Sequence, residues 1–458
     1  MVNNGGPRGM RGQLILLLGV LSGVVLMGCG GSSYNSNSTT NKPITTGFLR
    51  LVNTVPDSPT LLAGVDGTVL TRVSFAQATG LQQLKTNKYA IDVQYLDVKG
   101  STVDLIKKEK ITIGVEDQLT MFIVGSLDAP HTHIVDNQTP AIAAGSAEVQ
   151  VMQTVATLSN VDVYLTDANA DLATSTKLTT VAYDQSSELA TIPSGGNYRL
   201  RVTPPGGTTV LYDSGAFAIA DMTRLMFVVV DYFGPGGSGF RVVQLNNQSA
   251  TTFPNEVLPG AARIANMIAD VPSVDLYIGA VSGTPAFAGV PFGSVAALQD
   301  VTPGTLTCTL TPAGDPATIL FSGPVIWASG ETRTLVAVRS LGGVAVRATL
   351  DLTRPISGFS QIEVINAAPT ALAVDTFLIE AGKTLANTTA SIINQPLLAF
   401  AGAVAPPGTY DVAFTATATT TAIAGPDPLT VTDGSINSIF AIDAAGGGTP
   451  YQIVISTN

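Results

Sequence analysis

Leu49-Arg50-Leu51-Val52-Asn53, Val149-Gln150-Val151-Met152-Gln153, Ala262-Arg263-Ile264-Ala265-Asn266 and Ile362-Glu363-Val364-Ile365-Asn366 share one form, an alternating run that closes on a side-chain amide. A period of two is that of a β-strand with one face buried. The four amides lie 100, 113 and 100 residues apart, which is the length of a small domain rather than of a motif. A unit that recurs four times in 458 residues predicts four tandem domains.

More of the unit repeats around this strand. Nine residues after the amide stand Asp162, Asp275 and Asp375, within Val161-Asp162-Val163-Tyr164, Val274-Asp275-Leu276-Tyr277 and Val374-Asp375-Thr376-Phe377. The first copy has Leu62 there and Asp66-Gly67 a little later. Turn residues then precede another alternating strand at Asn87, Asn197, Pro303-Gly304 and Pro407-Gly408. Each unit ends in a strongly apolar run: Leu119 to Val124, Arg224 to Val230, Thr334 to Val338, Ser438 to Ile442. Short strands separated by turns every 8–12 residues or so, with no sustained helical period, predict antiparallel β-sandwiches. The expected domains are 47–136, 146–246, 260–353 and 360–458. Linkers rich in Pro, Gly, Asn and Thr would join them into an extended string, reaching roughly 100–150 Å at about 30–40 Å per domain.

Leu51-Val52-Asn53-Thr54-Val55-Pro56-Asp57-Ser58-Pro59, followed by Val65-Asp66-Gly67, resembles the opening motif of the DUF4397 domains of bacterial exported proteins. The third copy matches other parts of that pattern, in Val274-Asp275-Leu276-Tyr277, Val290-Pro291-Phe292-Gly293 and Pro303-Gly304-Thr305. The second and fourth copies keep the strands and Val-Asp but lose Pro-Asp-x-Pro. The resemblance implies an all-β chain of immunoglobulin-like sandwiches in an extracytoplasmic place. It implies no activity, because the family has none established.

The N-terminus carries an address. Arg8 and Arg11 precede an apolar run from Leu14 to Val25, and Leu26-Met27-Gly28-Cys29 closes it, which is the layout of a secretory signal. The run is shorter than the roughly 20 residues a membrane-spanning helix needs, and Gly19 and Gly23 interrupt it. Its end resembles the lipobox of bacterial lipoproteins. That resemblance implies a signal peptide at 1–28, a diacylated Cys29 as mature N-terminus, and stable membrane attachment through more than one acyl chain. Gly30 fits outer-membrane sorting in a Gram-negative cell by the same resemblance. Ser, Asn, Thr and Gly dominate 29–46, the composition of a flexible tether.

Composition narrows the function classes. Hydrophobic residues make up 45 % of the chain and charged ones only 12 %, about half the usual share, and the net charge is −11. Removal of 1–28 takes away two arginines and no acid, so the body is more acidic still. Such a body is unsuited to nucleic acid, whose binding rests on Lys and Arg meeting phosphates. The chain's second cysteine, Cys308, has no intramolecular partner if Cys29 is acylated, and its alternating setting, Leu306-Thr307-Cys308-Thr309-Leu310, predicts a buried apolar role.

Candidates for chemistry are few. The chain has two histidines, His131 and His133, in Asp128-Ala129-Pro130-His131-Thr132-His133. On a strand they would share a face, and with Asp128 or Asp136 they could ligate zinc or copper. Pro130 and the preceding apolar run point instead to an exposed inter-domain loop. No Gly-x-Ser-x-Gly elbow accompanies them, and nothing marks a glycosidase carboxylate pair. Asp162, Asp275 and Asp375 are candidate calcium or sugar ligands, but one acid per copy is short of a calcium site, and alternation with apolar neighbours predicts solvated side chains. Asp57 and Asp270, beside or near Pro56 and Pro272, suit turns. The repeated amides suit backbone groups at a strand end, and Trp327 suits packing. The expectation is a non-catalytic envelope lipoprotein without cofactor, serving adhesion, scaffolding or binding of an envelope protein or glycan. The alternatives are an envelope-polymer hydrolase dependent on His131 and His133, or a metal- or small-ligand-binding module.

Overall fold

The computed structural model describes residues 45–138, 141–236, 239–247 and 249–457. The expected signal peptide at 1–28, Cys29 and nearly all of the 29–46 segment lie outside the described residues. The first sandwich comprises β1 (Thr46–Asn53), β2 (Leu61–Val65), β3 (Thr68–Val73), β4 (Gln77–Ala78), β5 (Gln82–Lys85), β6 (Asn87–Leu96), β7 (Thr102–Ile113), β8 (Gln118–Ser126) and β9 (Ala129–Asp136). One sheet runs β3-β2-β6-β7; in the other β8 lies between β1 and β9, and β4 and β5 both pair with the free side of β1. The same strand order recurs within 146–253, 260–350 and 360–457, with an added edge strand in the second copy and a single strand on the free side of the first strand in the fourth, so the chain is all-β and its sandwiches are tandem.

Asp66 and Gly67 show how local chemistry sets this up. Both adopt positive φ, 49° and 76°, the conformation that a two-residue hairpin between β2 and β3 requires. The Ala90 N–H then donates to Asp66 Oδ1 at 2.9 Å, tying the turn to β6. Near the start of the strand that follows the turn residues, Tyr198 and Tyr410 donate their hydroxyls to Pro193 and Pro406 carbonyl oxygens a few residues upstream, at 2.6 and 2.9 Å. Tyr89 does the same to Lys85. This is the tyrosine-corner device of immunoglobulin-type sandwiches.

The strand order adds two features to the sequence reading. The first strand of each sandwich pairs in parallel with the late apolar strand, Asn53 lying opposite Ile123 and Asn366 opposite Ala441, whereas every other pairing is antiparallel. The long crossover that a parallel pair needs is supplied by the strands of the opposite sheet. The first and second strands also fall in opposite sheets, where an immunoglobulin constant-type sandwich keeps them together.

The expected extended string is corrected. In β8, Met121 and Ile123 enter the core of the first sandwich, while Phe122 and Val124 point the other way into an equally buried cluster with Met152, Met226, Val228 and Val243 of the second. Phe440 and Ile442 of the fourth sandwich likewise pack on Met267 and Val336 of the third. The sandwiches are therefore two back-to-back pairs. A strand covered on both faces reads as a continuous apolar run, which is the physical meaning of those four runs.

The pairs are joined as well. Arg354 Nη1 donates to the Pro56 and Ser58 carbonyl oxygens at 2.9 and 2.8 Å, the Ser357 N–H donates to Asp57 O at 2.9 Å, and Tyr232 Oη donates to Gly330 O at 2.7 Å. The segment expected as a linker near 353–360 is thus docked on the first sandwich. Part of the one expected at 246–260 is a strand, Ala250–Phe253, on the edge of the second.

Candidate functional site

The recurring polar side chains are internal braces. Asn53, Gln153, Asn266 and Asn366 are fully buried. In each the amide oxygen accepts the N–H two residues on, from Val55, Val155, Ile268 and Ala368. The amide NH2 donates to carbonyls of the adjoining strand or loop, for example Asn266 to Val290 O at 3.0 Å and Asn366 to Leu372 O at 2.7 Å. This is the strand-end role expected of them.

The three aspartates depart from expectation: they are buried, not solvated. Asp275 accepts the Gly289 and Gly314 N–H groups at 2.6 and 2.9 Å, one on each oxygen. Asp375 accepts those of Asn394 and Ala418 at 2.6 and 2.8 Å. Asp162 accepts from Gly206 N–H, Thr180 Oγ1 and Lys177 Nζ. Burial pushes the Asp162 carboxyl up, but these donors together hold it below the ordinary range. The aspartate does lie on the strand face opposite its apolar neighbours, and an adjacent strand and a turn of its own sandwich cover it there.

His131 and His133 stand on β9, not in a loop, and share its face as the spacing requires. His131 Nε2 is hydrogen-bonded to Asp184 Oδ2 at 3.1 Å, and His133 Nδ1 lies 3.2 Å from Asp184 Oδ1. Asp184, from the second sandwich, was not foreseen as their partner; Asp128 and Asp136 were. Its carboxylate fills the space between the two imidazoles. Among the described residues no group of three or more His, Cys, Asp or Glu side chains is arranged to hold a metal ion.

Cys308 and Trp327 are core residues of the third sandwich, and burial pushes the Cys308 thiol up to about 11. Asp57 Oδ1 accepts the Leu127 N–H at 2.8 Å, fixing the β8–β9 turn. Asp270 holds Arg339 through two hydrogen bonds, at 2.9 and 2.6 Å.

That last pair stands on the rim of a cleft of about 860 Å³ between loops of the third and fourth sandwiches. Leu341, Leu372, Pro369, Pro396 and Leu397 contribute much of its wall. Leu341 is fully exposed, and Leu372 is largely exposed on a backbone with φ of 60°. The Asn366 brace fixes the loop that presents Leu372, and the Gly446 N–H donates to Ala269 O across the cleft's floor at 2.7 Å. Sequence reasoning missed this cleft. Its one local signal is a pair of leucines in turns, where polar residues are the rule.

Residues 47–164 and 260–377, together just over half of the chain, match the family model described as a domain of unknown function, DUF4397. The chain belongs to the DUF4397 family. Each DUF4397 match takes in one whole sandwich and runs on into the second strand of its back-to-back partner, so the family pattern spans the two halves of a pair. No curated protein matches the chain. Among solved structures it is similar to the Bacillus anthracis TIE protein, with 12 % identity over 88 % of this chain and 69 % of that one, at a TM-score of 0.16. No helix among the described residues is long and apolar enough to cross a membrane, which leaves strands unaddressed.

Proposed function

We propose that this DUF4397 protein is a non-catalytic lipoprotein of the bacterial cell envelope, held to a membrane through Cys29, whose paired sandwiches form a rigid scaffold for binding an extracytoplasmic partner. The cleft between the third and fourth sandwiches carries this reading. Exposed apolar side chains around a concavity mark interaction sites more often than chance exposure does. Here the buried Asn366 amide braces the loop that presents Leu372, so less ordering entropy remains to be lost there on binding. The buried aspartates and amides are committed to hydrogen bonds within their own sandwiches, which supports a structural task for them. The partner class is an envelope protein or glycan that offers an apolar group to the cleft and polar groups to the Asp270–Arg339 rim.

The soluble body, residues 30–458, and its Leu341→Asp/Leu372→Asp variant would be used to capture partners from envelope extract, and each captured species would be purified and titrated back. A partner that binds the body directly and loses the variant, while melting is unchanged, supports the reading. Equal capture by both, or no direct binding, overturns it. Localisation is tested separately: Cys29→Ala should abolish palmitate incorporation and move the full chain out of the membrane fraction.

A further inference from the structure

A second cavity, of about 340 Å³, lies where the first, second and third sandwiches meet. Phe75 comes to it from the first, Asp231, Tyr232 and Arg241 from the second, and Arg354 from the segment after the third. The guanidinium carbons of Arg241 and Arg354 stand 5.8 and 5.1 Å from the centroid of the one Phe75 ring. Arg354 uses Nη1 on the Pro56 and Ser58 carbonyls. Arg241 Nε is buried with no hydrogen-bond partner among the described residues.

Two partly buried guanidiniums against one ring repel each other, and Arg241 Nε has lost its water without gaining an acceptor among the described residues. Burial first, and then the nearby Arg241 charge, lower the Arg354 pKa to about 10, against a smaller opposing pull from Asp57. Burial lowers Arg241 too. The acids around the cavity do not resolve this. Asp351 pairs with Arg263 and Glu331 with Arg333. Asp57 gives Oδ1 to the Leu127 N–H. Asp231 shows no ion pair among the described residues, and burial pushes its carboxyl up to about 6.

We propose that this junction cavity is a binding site for a small oxyanion, of the phosphate or carboxylate class, received between Arg241 and Arg354. A guanidinium offers a planar fork that matches such groups in bidentate fashion, and it is the side chain best suited to partly buried anion pairing. The volume lies at the small end of ligand pockets, which fits a compact, doubly charged anion rather than a polymer. Phe75 supplies the surface that holds both forks in place. Because the walls come from both sandwich pairs, the bound anion also ties one pair to the other. The site is separate from the Leu341–Leu372 cleft, and either can fail without the other.

The test uses residues 30–458, titrated calorimetrically with sodium phosphate and with sodium succinate against sodium chloride at equal ionic strength. A saturable, one-to-one heat with either anion, and a matching rise in melting temperature, is the expected result, and the active arm identifies the class. Arg241→Met should weaken that binding at least about tenfold while leaving the melting temperature in chloride the same or higher, since it relieves the repulsion. Arg354 is left in place because it holds the joint. Absence of saturable binding with both anions, or equal binding by Arg241→Met, overturns the proposal.

Discussion

The Asp275 carboxylate accepts the backbone N–H of Gly314 at 2.9 Å, closing a loop over the outer end of its own strand, while its other oxygen holds Gly289. Both bonds are charge-assisted and the carboxylate is buried. Asp275→Ala leaves two backbone N–H groups without their acceptor, so the third sandwich should lose about 2–4 kcal/mol. Asp275→Asn retains one acceptor and should lose less. Urea unfolding of the body measures both. Losses under about 0.5 kcal/mol in the alanine variant would return this aspartate to an ordinary surface role.

That aspartate also marks how far the sequence could be read. Alternation in Val274-Asp275-Leu276-Tyr277 identifies the face on which Asp275 lies, and the structure agrees. Alternation does not say what covers that face, because the covering groups, Gly289 in the neighbouring strand and Gly314 in a turn, lie 14 and 39 residues away. The same limit applies to Leu119 to Val124. Its apolar run announces a strand, and its continuity announces two covered faces, but the second cover belongs to another sandwich. Asp184 meets His131 from 53 residues away for the same reason. Four units, their strands and their amide braces were legible since each is written in local periodicity. Pairing of the units, the apolar cleft and the arginine cavity are products of packing between distant segments.

Phe122 distinguishes paired sandwiches from a string. In a string its ring would face water, and Phe122→Ala would be nearly neutral. It is fully buried against the second sandwich, so truncation should cost about 3–5 kcal/mol. Phe440→Ala, at the corresponding place between the third and fourth, should cost a similar amount. Calorimetric melting of the two variants checks both positions, and neutral results would restore independent domains.

Cys308 should be inert while the chain is folded. Its sulfur lies in the core among Leu276, Leu310 and Trp327, and burial pushes the thiol up to about 11, which leaves almost no thiolate near neutrality. An aromatic disulfide reagent applied to residues 30–458 at pH 8 should give no reaction in buffer and one thiol per chain in denaturant. Rapid labelling of the folded protein would show that the third sandwich opens readily.

Asp231 gives the stability of the body a pH dependence with a definite sign. Its carboxyl is pushed up to about 6, by burial first and by the Asp57 charge as well, against a backbone hydrogen bond that lowers it. In the unfolded chain the same group titrates near 3.9. Between about pH 4 and pH 6 the folded state therefore holds the proton more firmly than the unfolded state does. Its contribution to stability is fully present below about pH 4 and is lost as pH rises through about 6. Asp231→Asn removes this loss. The variant should match the parent in stability near pH 4 and exceed it at pH 7 by about 1–2 kcal/mol, a figure reduced from the full shift because the side chain keeps some contact with water. Other acids titrate in both proteins, so the difference between the two urea-unfolding series isolates this one. A difference that stays constant from pH 4 to pH 7 would show that Asp231 is solvated as an ordinary carboxylate, and a parent that gains on the variant with rising pH would show that Arg241 or Arg354 pairs with it directly.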